Sequence, residues 1–270
     1  MTVFILIRGG GDLASGVALR LHRAGLSVLI SELPQPLAVR RTVSFAEAVY
    51  AGQITIEGVT GRLVNRAQVQ VERDAGEIPV IVDADASILT DLSIPIVIDG
   101  RLAKQPPGPL PVDIPLHIGL GPGFHAGKNC HAVIETRRSH TLGRVYWDRA
   151  TQPDSGQPEG DQRRVLRAPV DGQFIGYAQI GDHLEAGDLI AELQSPTENH
   201  KSKIVSPFKG VLRGLIHPGL QVTAGIKIGD VDPRDEREAC FLVSDKALSI
   251  GGAVLEAILS KAAIRKKLWG

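Results

Sequence analysis

Short, uninterrupted apolar runs punctuate the first half of the chain: Val3 to Ile7, Ser27 to Ile30, Pro79 to Val82, Pro95 to Ile98 and Pro115 to Ile118. Runs of this length, separated by helical or loop segments, suit strands of a parallel sheet covered on both faces. Between the first two, Leu13, Val17, Ala18, Leu21 and Ala24 recur on one helical face, and Gly25 supplies a C-terminal stop. Residues 1–147 are therefore expected to form a Rossmann-like α/β domain. A polar stretch without apolar periodicity follows, with Asp148, Pro153, Asp154, Gly156, Pro158 and Gly160, and reads as a linker over 148–163.

Beyond the linker the chain repeats itself at an offset of 38 residues: Pro169 matches Pro207, Gly172 Gly210, Gly176 Gly214, Gly181 Gly219, Gly187 Gly225 and Ile190 Ile228. Glycines at equal offsets imply equal turns, so each half reads as strand, turn, strand, turn, strand. The elements Ala168-Pro169-Val170-Asp171-Gly172 and Ser206-Pro207-Phe208-Lys209-Gly210 resemble the repeated element of the biotinyl and lipoyl carrier fold. The resemblance implies a small all-β barrel-sandwich hybrid over 164–232. The place of the modified lysine in that family falls on Asn199, which argues against a carrier role, and Lys201 and Lys203 nearby read as solvated. In 233–270, Ala239 to Val243 suits a strand. Asp245 to Lys267 carries Leu248, Val254, Leu255, Ile258 and Leu259 at helical spacing, and this segment could pack back on the first domain.

Composition narrows the partners. Thirty Lys plus Arg balance thirty Asp plus Glu, so no net charge draws the chain to nucleic acid or an anionic membrane. No apolar run approaches the roughly 18 residues of a membrane helix, and a cytoplasmic protein is expected. The two cysteines, Cys130 and Cys240, are too few for a disulfide framework.

Three places carry candidate chemistry. In the first, Gly9, Gly10, Gly11, Asp12, Leu13 and Ala14 follow a strand and open a helix, and Gly9-x-Gly11-x-x-Ala14 fits the dinucleotide fingerprint. The helix N-terminus offers amides to phosphates, and Glu32, 21 positions after Gly11, can accept ribose hydroxyls. NAD(P) or another nucleotide is the expected cofactor, with Arg40 and Arg41 leaving NAD against NADP open.

The second is the glycine-rich loop Gly119 to Gly127 with Lys128, Cys130, His131 and Glu135 behind it. Gly121, Gly123, Gly127 and Lys128 could line an anion. His131, Glu135 and Cys130 are the catalytic or ligand-contacting candidates, against the plainer reading in which Cys130 is a buried hydrophobe and His131 a hydrogen-bonded structural residue. His125, Cys130, His131 and His140 fit none of the usual close metal-ligand spacings, so no metal is expected. The third comprises Asp83, Asp85, Asp99, Arg101 and Lys104 at strand ends. There Asp85 reads equally as a helix cap, and Arg101 and Lys104 as phosphate ligands or as surface partners of Asp99.

Together, Gly9 to Ala14, Glu32-Leu33-Pro34-Gln35-Pro36, Arg41 to Val49, Gly119 to Phe124, His131 to Thr136 and Gly251 to Ala257 resemble the selenium-dependent molybdenum hydroxylase system protein family. The resemblance implies an accessory protein that matures a molybdenum hydroxylase as its partner, with molybdopterin as cargo. The alternative is an NAD(P)-dependent oxidoreductase acting on a small molecule, with His131 near the nicotinamide.

Overall fold

A computed structural model describes residues 3–154, 161–195 and 201–269. Asn199 and residues 155–160 of the expected linker lie outside them. The chain divides into two units: residues 1–36, 44–155 and 243–270 form the first, and residues 37–43 and 156–242 the second.

The first unit is built on nine strands: β1 (Phe4–Arg8), β2 (Ser27–Glu32), β3 (Gln53–Ile56), β4 (Val59–Leu63), β5 (Ile78–Val82), β6 (Ile96–Asp99), β7 (Leu116–Leu120), β8 (Ala132–Ile134) and β9 (Val145–Tyr146). They lie in the order β3-β4-β5-β2-β1-β6-β7-β8-β9. The five apolar runs of the sequence are β1, β2, β5, β6 and β7. The expected all-parallel, Rossmann-like sheet is nevertheless corrected, because the sheet is mixed. β3 runs antiparallel to β4, and β9 antiparallel to β8. The β3–β4 connection is a two-residue hairpin in which Glu57 (φ 45°) and Gly58 (φ 83°) both take left-handed backbone, as a type I′ turn requires.

Among the described residues five α-helices accompany the sheet: α1 (Asp12–Arg23), α2 (Ala48–Ala51), α3 (Val69–Asp74), α4 (Asp245–Ser260) and α5 (Ala262–Trp269). Alternation along the strands sends Phe4, Leu6, Leu29, Ile81 and Val97 to one face, where they pack with Ile88, Leu89, Ile94 and Ile114. α1 packs on β1 and β2, and α4 lies against α1, β8 and β9. The two helices meet at small residues: a Cβ on Gly16 would fall 2.6 Å from Ala247 Cβ, and one on Gly251 would fall 2.8 Å from the Gly16 carbonyl oxygen. Ser244 caps α4 by accepting the Ala247 amide at 3.2 Å. The helix expected over 245–267 breaks at Lys261, and α5 leaves at 93°. Among the described residues no single helix is long and apolar enough to cross a membrane.

The second unit holds β10 (Val165–Arg167), β11 (Gly172–Gly176), β12 (His183–Leu184), β13 (Leu189–Gln194), β14 (Lys201–Val205), β15 (Gly210–Leu215), β16 (Gln221–Val222) and β17 (Lys227–Asp232). They form two four-stranded antiparallel sheets, β10-β17-β15-β12 and β14-β13-β11-β16. The expected lipoyl-like barrel-sandwich hybrid is corrected here to two separate antiparallel sheets, with no ladder joining them among the described residues.

The offset of 38 has a backbone meaning. Gly181 and Gly219 both have positive φ (99° and 88°), as do Gly187 and Gly225 (91° and 84°). A Cβ on Gly172 would strike the Gln194 carbonyl, and one on Gly210 the Asp232 carbonyl, again 38 residues on. Residues 37–43 add to this unit through Arg40, which donates to the carbonyls of Ala239 (3.1 Å) and Leu242 (3.0 Å), and Arg41, which donates to Leu215 (2.7 Å). The strand expected over 239–243 is not formed. Arg237–Cys240 makes a 3-10 turn that buries Cys240.

Candidate functional site

Open parallel sheets bind ligands outside the carboxyl ends of their strands, at the point where strand order reverses. Here that point lies between β1 and β6, and it is closed by the protein's own charges. Arg8 and Asp99 are register partners across it. Arg101 grips Asp99 through Nε–Oδ1 (2.8 Å) and Nη2–Oδ2 (2.6 Å), while Arg8 Nη1 lies 3.4 Å from Oδ2 and Nη2 donates to the Ala84 carbonyl at 3.2 Å. Asp99 is fully buried. The hydrogen bond to Asp99 raises the Arg101 guanidinium above its usual range, whereas burial lowers that of Arg8.

The glycine turn beside this cluster is likewise filled from within. Glu32 is buried, with one carboxylate oxygen accepting the Gly10 amide at 2.6 Å and the other the Leu33 amide at 2.7 Å. It therefore turns into the loop instead of presenting itself to a ribose, and burial raises its pKa. Phe45 and Ala46 cover Gly10, the Ala46 amide donating to the Gly10 carbonyl at 2.9 Å. Ser15 ties the layers together: its hydroxyl donates to that carbonyl at 2.9 Å and accepts the Phe45 amide at 2.8 Å. Gly9 lies under the Arg101 side chain, and Ala14 meets Gly100. Asp12 and Leu13 open α1, and Gly11 is its N-cap, with no side-chain cap bond. Gly9, Gly10 and Ala14 thus serve packing, while Gly11 has nothing within 4 Å of an ideal Cβ; the expected NAD(P) or nucleotide cofactor is corrected because Glu32 is spent on the loop's own amides.

The remaining acidic candidates are structural. Asp83, not Asp85, is the cap: it accepts the Ser87 amide (2.9 Å) and hydroxyl (2.7 Å) and the Ile88 amide (2.8 Å). Glu135 is buried and braces its loop by accepting the amides of Arg137 and Gln152, both at 2.8 Å. In the glycine-rich loop, the Gly123 amide donates to Ala103 (2.7 Å), Gly127 to Cys130 (2.9 Å) and Lys128 to His125 (3.1 Å), while Gly121 lies 3.5 Å from Ile134 O. Its amides are spent inside the protein. Lys104 pairs with Asp154 at 2.8 Å.

Cys130 and His131 part company just before β8. Cys130 packs with Phe124, Ala126 and Val133, and burial pushes its thiol up to about 11, away from thiolate chemistry. His131 turns outward and exchanges two hydrogen bonds with His117 of β7: its amide donates to the His117 carbonyl at 2.8 Å, and its Nδ1 accepts the His117 amide at 2.9 Å. An accepting Nδ1 leaves the ring proton on Nε2. His117 itself is buried on the sheet face of Asp99, its Nε2 has no partner, and burial brings its pKa down to about 4. Among the described residues no group of three or more His, Cys, Asp or Glu side chains is arranged to hold a metal ion.

His131 opens onto a cavity of about 420 Å³ at the opposite, amino-terminal edge of the sheet. Pro115 and Leu116 at the start of β7, Trp147 just after β9, and Ala263 and Ile264 of α5 give it an apolar lining. Lys261 and Lys267 complete it, and Lys261 Nζ sits 3.6 Å above the Trp147 ring, a cation–π contact. The break between α4 and α5 creates this cavity by swinging α5 to the amino ends of β7 and β8. Of its lining, only His131 was a candidate from sequence. Trp147 stood at the edge of a presumed linker, and neither Lys261 nor Lys267 was a candidate.

No protein-family model matches the chain. The chain is 45% identical over 260 residues to YqeB of Escherichia coli (strain K12), an uncharacterized protein, across 94% of this chain and 47% of that one. It thus spans about half the length of that relative. Similar solved structures include a succinylglutamate desuccinylase/aspartoacylase from Rhodobacter sphaeroides (14% identity, 31% of this chain and 30% of that chain, TM-score 0.25). Another is an aspartoacylase family protein from Mesorhizobium loti (9% identity, 85% and 84%, TM-score 0.29). A third is the ectoine utilization protein EutE from Ruegeria pomeroyi (11% identity, 85% and 86%, TM-score 0.29).

At these TM-scores the likenesses transfer neither fold nor activity. The resemblance drawn from sequence is corrected all the same: no family model supports a selenium-dependent molybdenum hydroxylase system protein, and the relative that matches is an uncharacterized protein. Hydroxylase maturation and molybdopterin cargo fall with that resemblance. The hydroxylase partner rested on it alone. The NAD(P)-dependent oxidoreductase is corrected by the glycine turn, where the Glu32 carboxylate is consumed by the Gly10 and Leu33 amides.

Proposed function

We propose that the first unit is a small-molecule-binding domain whose ligand occupies the cavity at the amino-terminal edge of β7 and β8. The observation that supports this most is the lining itself: an apolar cavity of about 420 Å³ with a half-buried indole and a few convergent polar groups, the make-up of a ligand pocket. Binding, and not covalent catalysis, is the chemistry this site supports, since Cys130 is held as a thiol away from the cavity.

Trp147 reports on the site directly. Trp269, the other of the two tryptophans, is exposed and is removed by Trp269→Phe. In that background, screening small molecules should find compounds that change Trp147 emission saturably, and Ala263→Phe, which fills the cavity without adding an indole, should abolish the change while leaving the thermal midpoint in place. A screen without any saturable response, or binding that survives Ala263→Phe, refutes the assignment.

A further inference from the structure

We infer that the ligand of this cavity is an apolar carboxylate, its tail against Leu116, Trp147 and Ile264 and its head between Lys261, Lys267 and His131. This rests on the reading of the cavity as a ligand site and names the ligand's class. Three features carry it. The lining holds two ammonium groups and no carboxylate, so an anionic head enters without meeting like charge. Lys261 is drawn over the indole at 3.6 Å, which fixes its charge at the rim while its remaining N–H bonds stay able to donate.

The third feature is His131. Its Nδ1 accepts the His117 amide at 2.9 Å, which assigns the ring proton to Nε2, the nitrogen left to serve a ligand. Two cations and one N–H donor beside an apolar floor match a carboxylate, which only accepts hydrogen bonds. They do not match an amine, whose head would meet like charge and donors.

The test is calorimetric titration of the whole chain with three probes sharing one tail: octanoate, octanol and octylamine. Octanoate should bind about tenfold or more tighter than octanol, and octylamine should bind weakest. In the Lys261→Gln/Lys267→Gln double variant, octanoate should fall to the octanol level while octanol is unchanged. Octanol binding as tightly as octanoate, octylamine binding tightest, or an octanoate preference that survives the double variant would each overturn the carboxylate class and leave the cavity assignment standing. If no probe binds the unsubstituted chain, the cavity assignment fails as well.

Discussion

The contact between α1 and α4 offers a sharp test, because two glycines of similar helical setting should respond to the same substitution with opposite sign. In Gly16→Ala the new Cβ would lie 2.6 Å from Ala247 Cβ and 2.9 Å from its carbonyl oxygen, and at least one of these is backbone that cannot swing aside. Forcing a methyl into a packed interface typically costs about 1–3 kcal/mol, and the helix-propensity gain of about 1 kcal/mol offsets only part of that. A net loss of up to about 2 kcal/mol follows. Gly252, one residue from the corresponding contact at Gly251 but on the outer face of α4, has nothing within 4 Å of its ideal Cβ. Gly252→Ala should therefore keep the propensity gain and stabilise by up to about 1 kcal/mol. Urea unfolding followed by far-UV circular dichroism gives both differences from midpoint shifts at constant m. Equal stability of Gly16→Ala and the parent chain, or destabilisation by Gly252→Ala, would refute the close crossing of these helices.

Burial lowers His117 from about 6.5 to about 4, so the neutral ring stabilises the fold fully above pH about 6.5 and that contribution is lost as pH falls toward about 4. The shift corresponds to about 3 kcal/mol, at about 1.4 kcal/mol per unit. His117→Gln should therefore lose correspondingly less stability than the parent between neutral and acid urea titrations, and parallel losses would contradict the buried, unpartnered ring. Cys130 and Cys240 are both buried with thiols raised by burial. A thiol-disulfide reagent at mildly alkaline pH should leave both unmodified in the native chain and label both after denaturation; rapid native labelling of Cys130 would show that its pocket opens.

Much of the first unit was legible because apolar run length survives folding unchanged: the runs ending at Ile7, Ile30, Val82, Ile98 and Ile118 are five of its nine strands. The hairpin of β3 and β4 was readable too, from Gln53-Ile54-Thr55-Ile56 alternation and the Glu57-Gly58 turn, but went unread beside the stronger runs. The fingerprint misled for a physical reason. A glycine required by close packing under Phe45, Ala46 and Arg101 looks the same in sequence as one required by a pyrophosphate. Glu32 satisfies the pattern of a ribose ligand while its carboxylate is consumed by two local amides.

The sequence by itself determined local matters: where strands and helices begin, which turns need left-handed backbone, and the twofold repetition of the second unit at an offset of 38. These follow from backbone preferences and periodicity, which act between near neighbours. Only the tertiary structure decided what fills what. It set Arg8, Asp99 and Arg101 against one another across the switch point and separated His131 from Cys130. By breaking the last helix at Lys261, it brought Trp147, Lys261 and Lys267 to one cavity. Trp147 stands more than a hundred positions from Lys261 and Lys267 in the chain, and nothing in their local pattern encodes that meeting.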